Sequence, residues 1–147
     1  MAEPDGATTP VTGRAVQLDL AFDARALYQT RAAVAAWADR RGIGGRPLEA
    51  LLIIASELAS NAIVHGGGRG RLRLWEDGPR VVCEVSDTGP GLGDPQTAGH
   101  RRPEPQERGG RGLWIVRRLA EEFVVHSAPT GATLTATLAL GAPAHDG

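Results

Sequence analysis

Between Leu48 and His65 the apolar residues recur at helical spacing. Leu51, Leu52, Ile54, Ala55, Leu58, Ala59 and Ala62 form a face too broad for a free-standing helix, so this run must pack against a sheet. Glu57 and Asn61 lie four positions apart in the same run. Their side chains leave one face of the helix, one turn from each other. An amide and a carboxylate so placed can share one small site. The amide offers a neutral oxygen to a hard cation, and the carboxylate accepts a proton or orients a water. Taken alone, the pair also fits an exposed polar patch near a helix C-terminus. Two glycine-rich stretches further on turn the reading toward a site.

The rest of the chain supplies the sheet. Val16, Leu18, Leu20 and Phe22 alternate with smaller or polar residues, which predicts a strand with one buried face. Asp23 is placed to cap a helix over 24–41, with Gly42 as its stop. The arginines of that helix, Arg25, Arg31 and Arg40, read as a solvated face or a partner surface. Pro47 suits the first position of the helix that follows, and Gly66-Gly67-Gly68 ends it. Leu72 and Leu74 alternate with Arg71, Arg73 and Trp75. Asp77-Gly78 then predicts a tight hairpin turn into a returning strand over 80–86. Residues 93–108 hold prolines, charges and almost no large apolar side chain, the make-up of a mobile surface loop. A helix over 113–122 and strands over 123–127 and 132–140 complete the order β-α-α-β-β-loop-α-β-β. This order predicts an α/β two-layer sandwich: a mixed, mostly antiparallel sheet with helices on one face. One domain is expected over 14–141, between a disordered tail at 1–13 and a frayed end at 142–147.

Composition removes whole classes of chemistry. All 16 cations are arginine and none is lysine, so neither a P-loop lysine nor a Schiff base is available. The formal charge is 16 − 17 = −1, which predicts neither direct nucleic-acid binding nor attraction to an anionic membrane. The single cysteine, Cys83, allows no internal disulfide and no zinc cluster. No basic-then-apolar leader stands at the start, and no apolar stretch was expected to approach the ~20 residues that span a bilayer. A cytoplasmic protein is expected.

The two glycine-rich stretches carry the remaining chemistry. Asp87 sits where a strand gives way to Thr88-Gly89-Pro90-Gly91. A carboxylate fixed there can read an exocyclic amine, and glycines let backbone approach a flat ring. The same five residues also make an ordinary turn. Gly109-Gly110-Arg111-Gly112 precedes a helix, where free N–H groups and the helix dipole favour an anion such as phosphate. Arg111 either contacts that phosphate or points to solvent. The glycines do not follow a strand in a βαβ unit, so a dinucleotide fold is not indicated.

Together, Glu57-x-x-x-Asn61-Ala62, Asp87-x-Gly89-x-Gly91 and Gly110-x-Gly112-Leu113 resemble the N, G1 and G2 boxes of the GHKL ATP-binding superfamily. The Glu-Leu-x-x-Asn-Ala form is most similar to bacterial anti-sigma factor serine/threonine kinases. The resemblance spans 16–140 and implies the Bergerat fold, with ATP and Mg²⁺ as cofactors. It implies that Asn61 holds Mg²⁺ and that Glu57 is the base on the attacking hydroxyl. Asp87 would bind the adenine amino group, Gly89 and Gly91 would line its pocket, and Gly110, Arg111 and Gly112 would contact phosphates. Residues 93–108 would form the ATP lid, and Thr133 would help hold adenine through water. The implied partners are a STAS anti-anti-sigma protein, a sigma factor and a second copy of the chain. An ATP-dependent binding switch with little catalysis remains the alternative.

Overall fold

The computed structural model describes residues 15–89 and 111–140. The expected tail at 1–13, Gly91, the lid at 93–108, Gly110 and the stretch 142–147 lie outside the described residues. In chain order the elements are β1 (Leu18–Asp23), a 3₁₀ turn (Ala24–Ala26), α1 (Leu27–Arg40), α2 (Gly45–His65), β2 (Arg69–Asp77) and β3 (Arg80–Asp87). After the undescribed stretch come α3 (Arg111–Leu119), β4 (Glu122–Ala128) and β5 (Gly131–Ala139).

Local chemistry explains the boundaries. Asp23 is the expected cap: its Oδ1 accepts from the N–H groups of Arg25 and Ala26, at 3.0 and 3.2 Å. What it caps is the single 3₁₀ turn, and α1 takes over at Leu27. Gly42, with φ at +72°, provides the left-handed exit from α1 that a residue with a β-carbon resists. The second helix starts at Gly45, so Pro47 is its third residue rather than its first. The shift is harmless, because the first four N–H groups of a helix have no partner within it. The β2–β3 turn also differs by one position. Asp77 pairs with Arg80, so the loop residues are Gly78 and Pro79. Gly78 takes φ of +63°, and proline cannot follow with a positive φ, which selects a II′ turn over I′.

The five strands lie in the order β1-β2-β3-β5-β4, and every pairing is antiparallel. The helices form the second layer. The central one, α2, packs on α1 and α3 and on strands β2, β3 and β5. Its inward stripe of Leu51, Ile54, Ala55 and Leu58 meets Leu72, Leu74, Val85 and Leu134 from the sheet, and all of these are buried. The α/β sandwich with helices on one face is therefore the fold. By length and composition alone, α2 would pass for a membrane span: it has 21 residues and holds an 18-residue window of mean hydropathy 1.5. That corrects the expectation that no stretch approaches such a length. Here the apolar stripe is used to join the two layers.

The sheet face away from the helices is held by cross-strand charge pairs. Arg73 on β2 stands opposite Glu84 on β3, and Arg73 Nη2 lies 2.8 Å from Glu84 Oε1. Burial pushes the Glu84 carboxyl up, against the pull of Arg73. Nearer the sheet edge, Arg71 donates through Nε and Nη2 to both Asp19 oxygens, at 2.7 and 2.8 Å. Arg25, Arg31 and Arg40 are exposed, as a solvated face requires.

Cys83 faces the helices from the middle of β3. Burial, and to a lesser degree the Glu84 charge, pushes its thiol up to about 12. At pH 8 the native protein should react with a thiol-labelling reagent at least about a hundredfold more slowly than the unfolded chain, because the thiolate is the nucleophile. The sign of the linkage follows from the same shift. Above the ordinary thiol value of 9.0 the unfolded chain releases a proton that the native one keeps. Stability should thus fall as pH rises from about 9 toward 12, by at most about 1.4 kcal/mol per pH unit from this group. Denaturant titrations of the wild type and Cys83→Ala across that range measure it.

Candidate functional site

The site lies along the exposed edge of α2, between the ends of the sheet and the start of α3. Glu57 and Asn61 project from α2 one turn apart, as their spacing required. Asn61 is 9% exposed, and its amide nitrogen is buried with no hydrogen-bond partner among the described residues. The amide nitrogen is an N–H donor, so a phosphate oxygen or another acceptor would satisfy it. Glu57 is half-buried. Across from it stands Gly112, so close that a β-carbon there would fall on the Glu57 carboxylate. This contact explains the glycine. It also shifts the expectation that Gly112 merely precedes a helix, because α3 begins at Arg111 and Gly112 sits in its first turn. Backbone N–H groups of that turn are free of intrahelical partners. The contact brings them beside the Glu57–Asn61 face.

Asp87 is the last residue of β3 and reaches the other end of the same edge. Its Oδ1 accepts from the N–H of Gly89 at 2.9 Å. Its carboxylate rests on Gly66, the residue that caps α2, and Gly89 packs its backbone onto Gly66 as well. Gly131, at the start of β5, lies against the Asp87 carbonyl. The α2 C-terminus, the β3 exit and the β5 entry thus meet around one carboxylate.

Thr133 is the one expected site residue that the described structure turns away from this edge. It pairs with Ser86 on β3 and His126 on β4. Its neighbours Ala132 and Leu134 are both buried in the core beneath the helices. Side chains alternate along a strand, so Thr133 faces the opposite side of the sheet. Two further glycines meet Asp87 outside the motifs: Gly66, which the sequence marks only as part of a helix end, and Gly131. The signal is the length of the run Gly66-Gly67-Gly68: two of its glycines take the positive φ of the helix exit, and one more stands before them.

The residues present fit a nucleotide and a divalent cation. Among the described residues no group of three or more His, Cys, Asp or Glu side chains forms a metal cage. Mg²⁺ that keeps nucleotide phosphates and waters among its ligands asks the protein for few oxygen donors, and the Asn61 side-chain oxygen is one of the type it takes. The glycines at 66, 89 and 112 let Asp87, the Gly66 backbone and Glu57 pack closely where a side chain would intrude.

An antiparallel sheet under a helical layer, with an amide, two carboxylates and glycine turns along one edge, makes an α/β nucleotide-binding domain. The profile described as a histidine kinase-like ATPase domain matches residues 20–138, and the chain belongs to that family. This is the GHKL, or Bergerat, type of ATP-binding domain. No curated protein matches the chain by sequence. Solved structures share the fold. The RsbU and RsbW domains of Rv1364c from Mycobacterium tuberculosis match with TM-score 0.64 and 22% identity, over 89% of this chain and 35% of that one. This chain therefore spans about a third of that protein's length. The SiaB–SiaC complex from Pseudomonas aeruginosa matches with TM-score 0.62 and 11% identity, over 84% of this chain and 91% of that one. The catalytic domain of the histidine kinase ThkA matches with TM-score 0.52 and 14% identity, over 84% of this chain and 96% of that one. At these identities the likeness is one of fold.

Proposed function

We propose that this domain is an ATP- and Mg²⁺-dependent serine/threonine protein kinase of the cytoplasm that phosphorylates a STAS anti-anti-sigma protein, sequesters a sigma factor, or does both. One observation carries the reading. The Glu57 carboxylate fills the space over Gly112 in the first turn of α3, one helical turn from the unpartnered Asn61 amide. A base, a metal ligand and a phosphate-binding turn share one place. The names of two structures of like fold, carrying RsbW domains and SiaB with SiaC, support a regulatory partner-binding role.

In this reading Asn61 would hold Mg²⁺, and Asp87 would accept the adenine amino group. Bound Mg²⁺ supplies charge neutralisation for the phosphates. Phosphoryl transfer asks the protein for positioning and an oriented nucleophile more than for covalent chemistry. Glu57 would take the proton of the acceptor Ser or Thr hydroxyl as that oxygen bonds to the γ-phosphorus, while the bond from that phosphorus to the β,γ-bridging oxygen breaks and ADP leaves. The first turn of α3 offers Gly112 backbone to the phosphates, with Arg111 beside it. The order of the resembling motifs adds Gly91 and Gly110 to the pocket.

The test is affinity capture with the purified chain from lysate of its source, with and without Mg-ATP, read by mass spectrometry with phosphosite mapping. The expected result is a STAS protein newly phosphorylated on serine or threonine. Nucleotide-dependent retention of a sigma factor or other partner, with no phosphate moved, would replace the kinase by an ATP-dependent binding switch.

A further inference from the structure

Gly66 is not glycine for the sake of its backbone. Its φ is −110° and ψ 24°, a conformation open to any residue. The left-handed turn that leaves α2 is made by the next two residues, Gly67 and Gly68, at +91° and +90°. What position 66 requires is space. A β-carbon there would overlap Cγ and Oδ2 of Asp87, and would come within 2.7 Å of the Ala62 carbonyl oxygen. That carbonyl is held by the Gly66 N–H at 2.8 Å, so the Asp87 side chain is the partner able to yield.

Asp87 is otherwise well fixed. Oδ1 is committed to the Gly89 N–H, Gly89 leans on Gly66, and Gly131 abuts the Asp87 carbonyl. Oδ2 alone is left, lying over Gly66, with no hydrogen-bond donor among the described residues. An ionised carboxylate oxygen only accepts hydrogen bonds. It therefore suits a purine whose six-position carries an amino group and repels one that carries a carbonyl there. The discrimination depends on where that oxygen stands.

We infer that Gly66 is a specificity-determining positioning residue: by lacking a side chain it seats the Asp87 carboxylate so that its free oxygen selects 6-aminopurine over 6-oxopurine nucleotides. The inference rests on the reading of this edge as an ATP site. It adds a residue outside the three motifs and assigns it base selectivity rather than helix termination.

Isothermal calorimetry with Mg-ATP and with Mg-GTP, alongside thermal melting, tests it on three proteins. The wild type should prefer ATP. Gly66→Ala should lose about tenfold in ATP affinity, the scale of one hydrogen bond to a charged group, and its preference over GTP should collapse toward unity. Gly68→Ala has no neighbour within 4 Å at its β-carbon but must adopt the strained positive φ. It should melt earlier and keep the wild-type preference. A merely structural role for Gly66 would make the two variants alike, and an unchanged ATP:GTP ratio in Gly66→Ala would overturn the inference. Should Gly66→Ala fail to fold, the double variant Gly66→Ala with Asp87→Ala decides. Recovered folding supports the clash, and continued unfolding refutes it. A wild type that binds neither nucleotide would instead refute the ATP-site reading and take this inference down with it.

Discussion

Asn61→Ala should abolish measurable Mg-ATP binding and leave the domain folded. In the proposed reading Asn61 gives Mg²⁺ its protein ligand, and among the described residues no cluster of His, Cys, Asp or Glu stands ready to replace it. Outer partners of metal ligands already cost about ten- to a hundredfold when lost, so loss of the ligand itself should cost at least about a hundredfold. The effect on stability should have the opposite sign from that of most buried substitutions. The Asn61 amide nitrogen is buried and has no partner among the described residues, so removing it relieves an unsatisfied group. The melting temperature should hold or rise slightly. Calorimetry and thermal denaturation on the same preparation separate the two effects. ATP affinity equal to that of the wild type would end the metal role for Asn61.

Glu57→Gln should keep ATP binding and lose phosphoryl transfer by about a hundred- to ten-thousandfold, the contribution typical of a positioned general base. Glutamine is the informative substitution. It keeps the volume that packs against Gly112, so the first turn of α3 stays where it is. It removes only the ability to take the hydroxyl proton. Alanine would also open a gap beside Gly112, and a lost rate would then have two explanations. Transfer of labelled phosphate from ATP to the captured partner gives the rate, and calorimetry confirms that nucleotide still binds. Undiminished transfer would mean that another group, or none, takes the proton.

Much of this molecule was written locally in the chain. Alternation at Leu72 and Leu74 and at Leu134, Ala136 and Leu138 marks strands because side chains alternate between sheet faces. Helical spacing over 48–65 puts Glu57 and Asn61 on one face whatever else the chain does. Asp87 at a strand end, followed by glycine, is equally local. The small misses were local too. Asp77-Gly78 looked like the hairpin turn, but the pairing of Asp77 with Arg80 moved the loop to Gly78-Pro79.

The sequence by itself determined the order of elements, their amphipathic faces and the residues able to do chemistry, since each follows from spacing within a few positions. Only the tertiary structure decided which of those residues meet. Gly112 meets Glu57 across 55 positions and Gly66 meets Asp87 across 21, because α2 crosses the sheet and presents its C-terminus to the exit of β3. Thr133 is separated from Asp87 by one pleat, because Ala132 rather than Thr133 pairs with Asp87. A contact between distant positions depends on strand register and on how helices seat in a packed core. Periodicity along the chain carries neither.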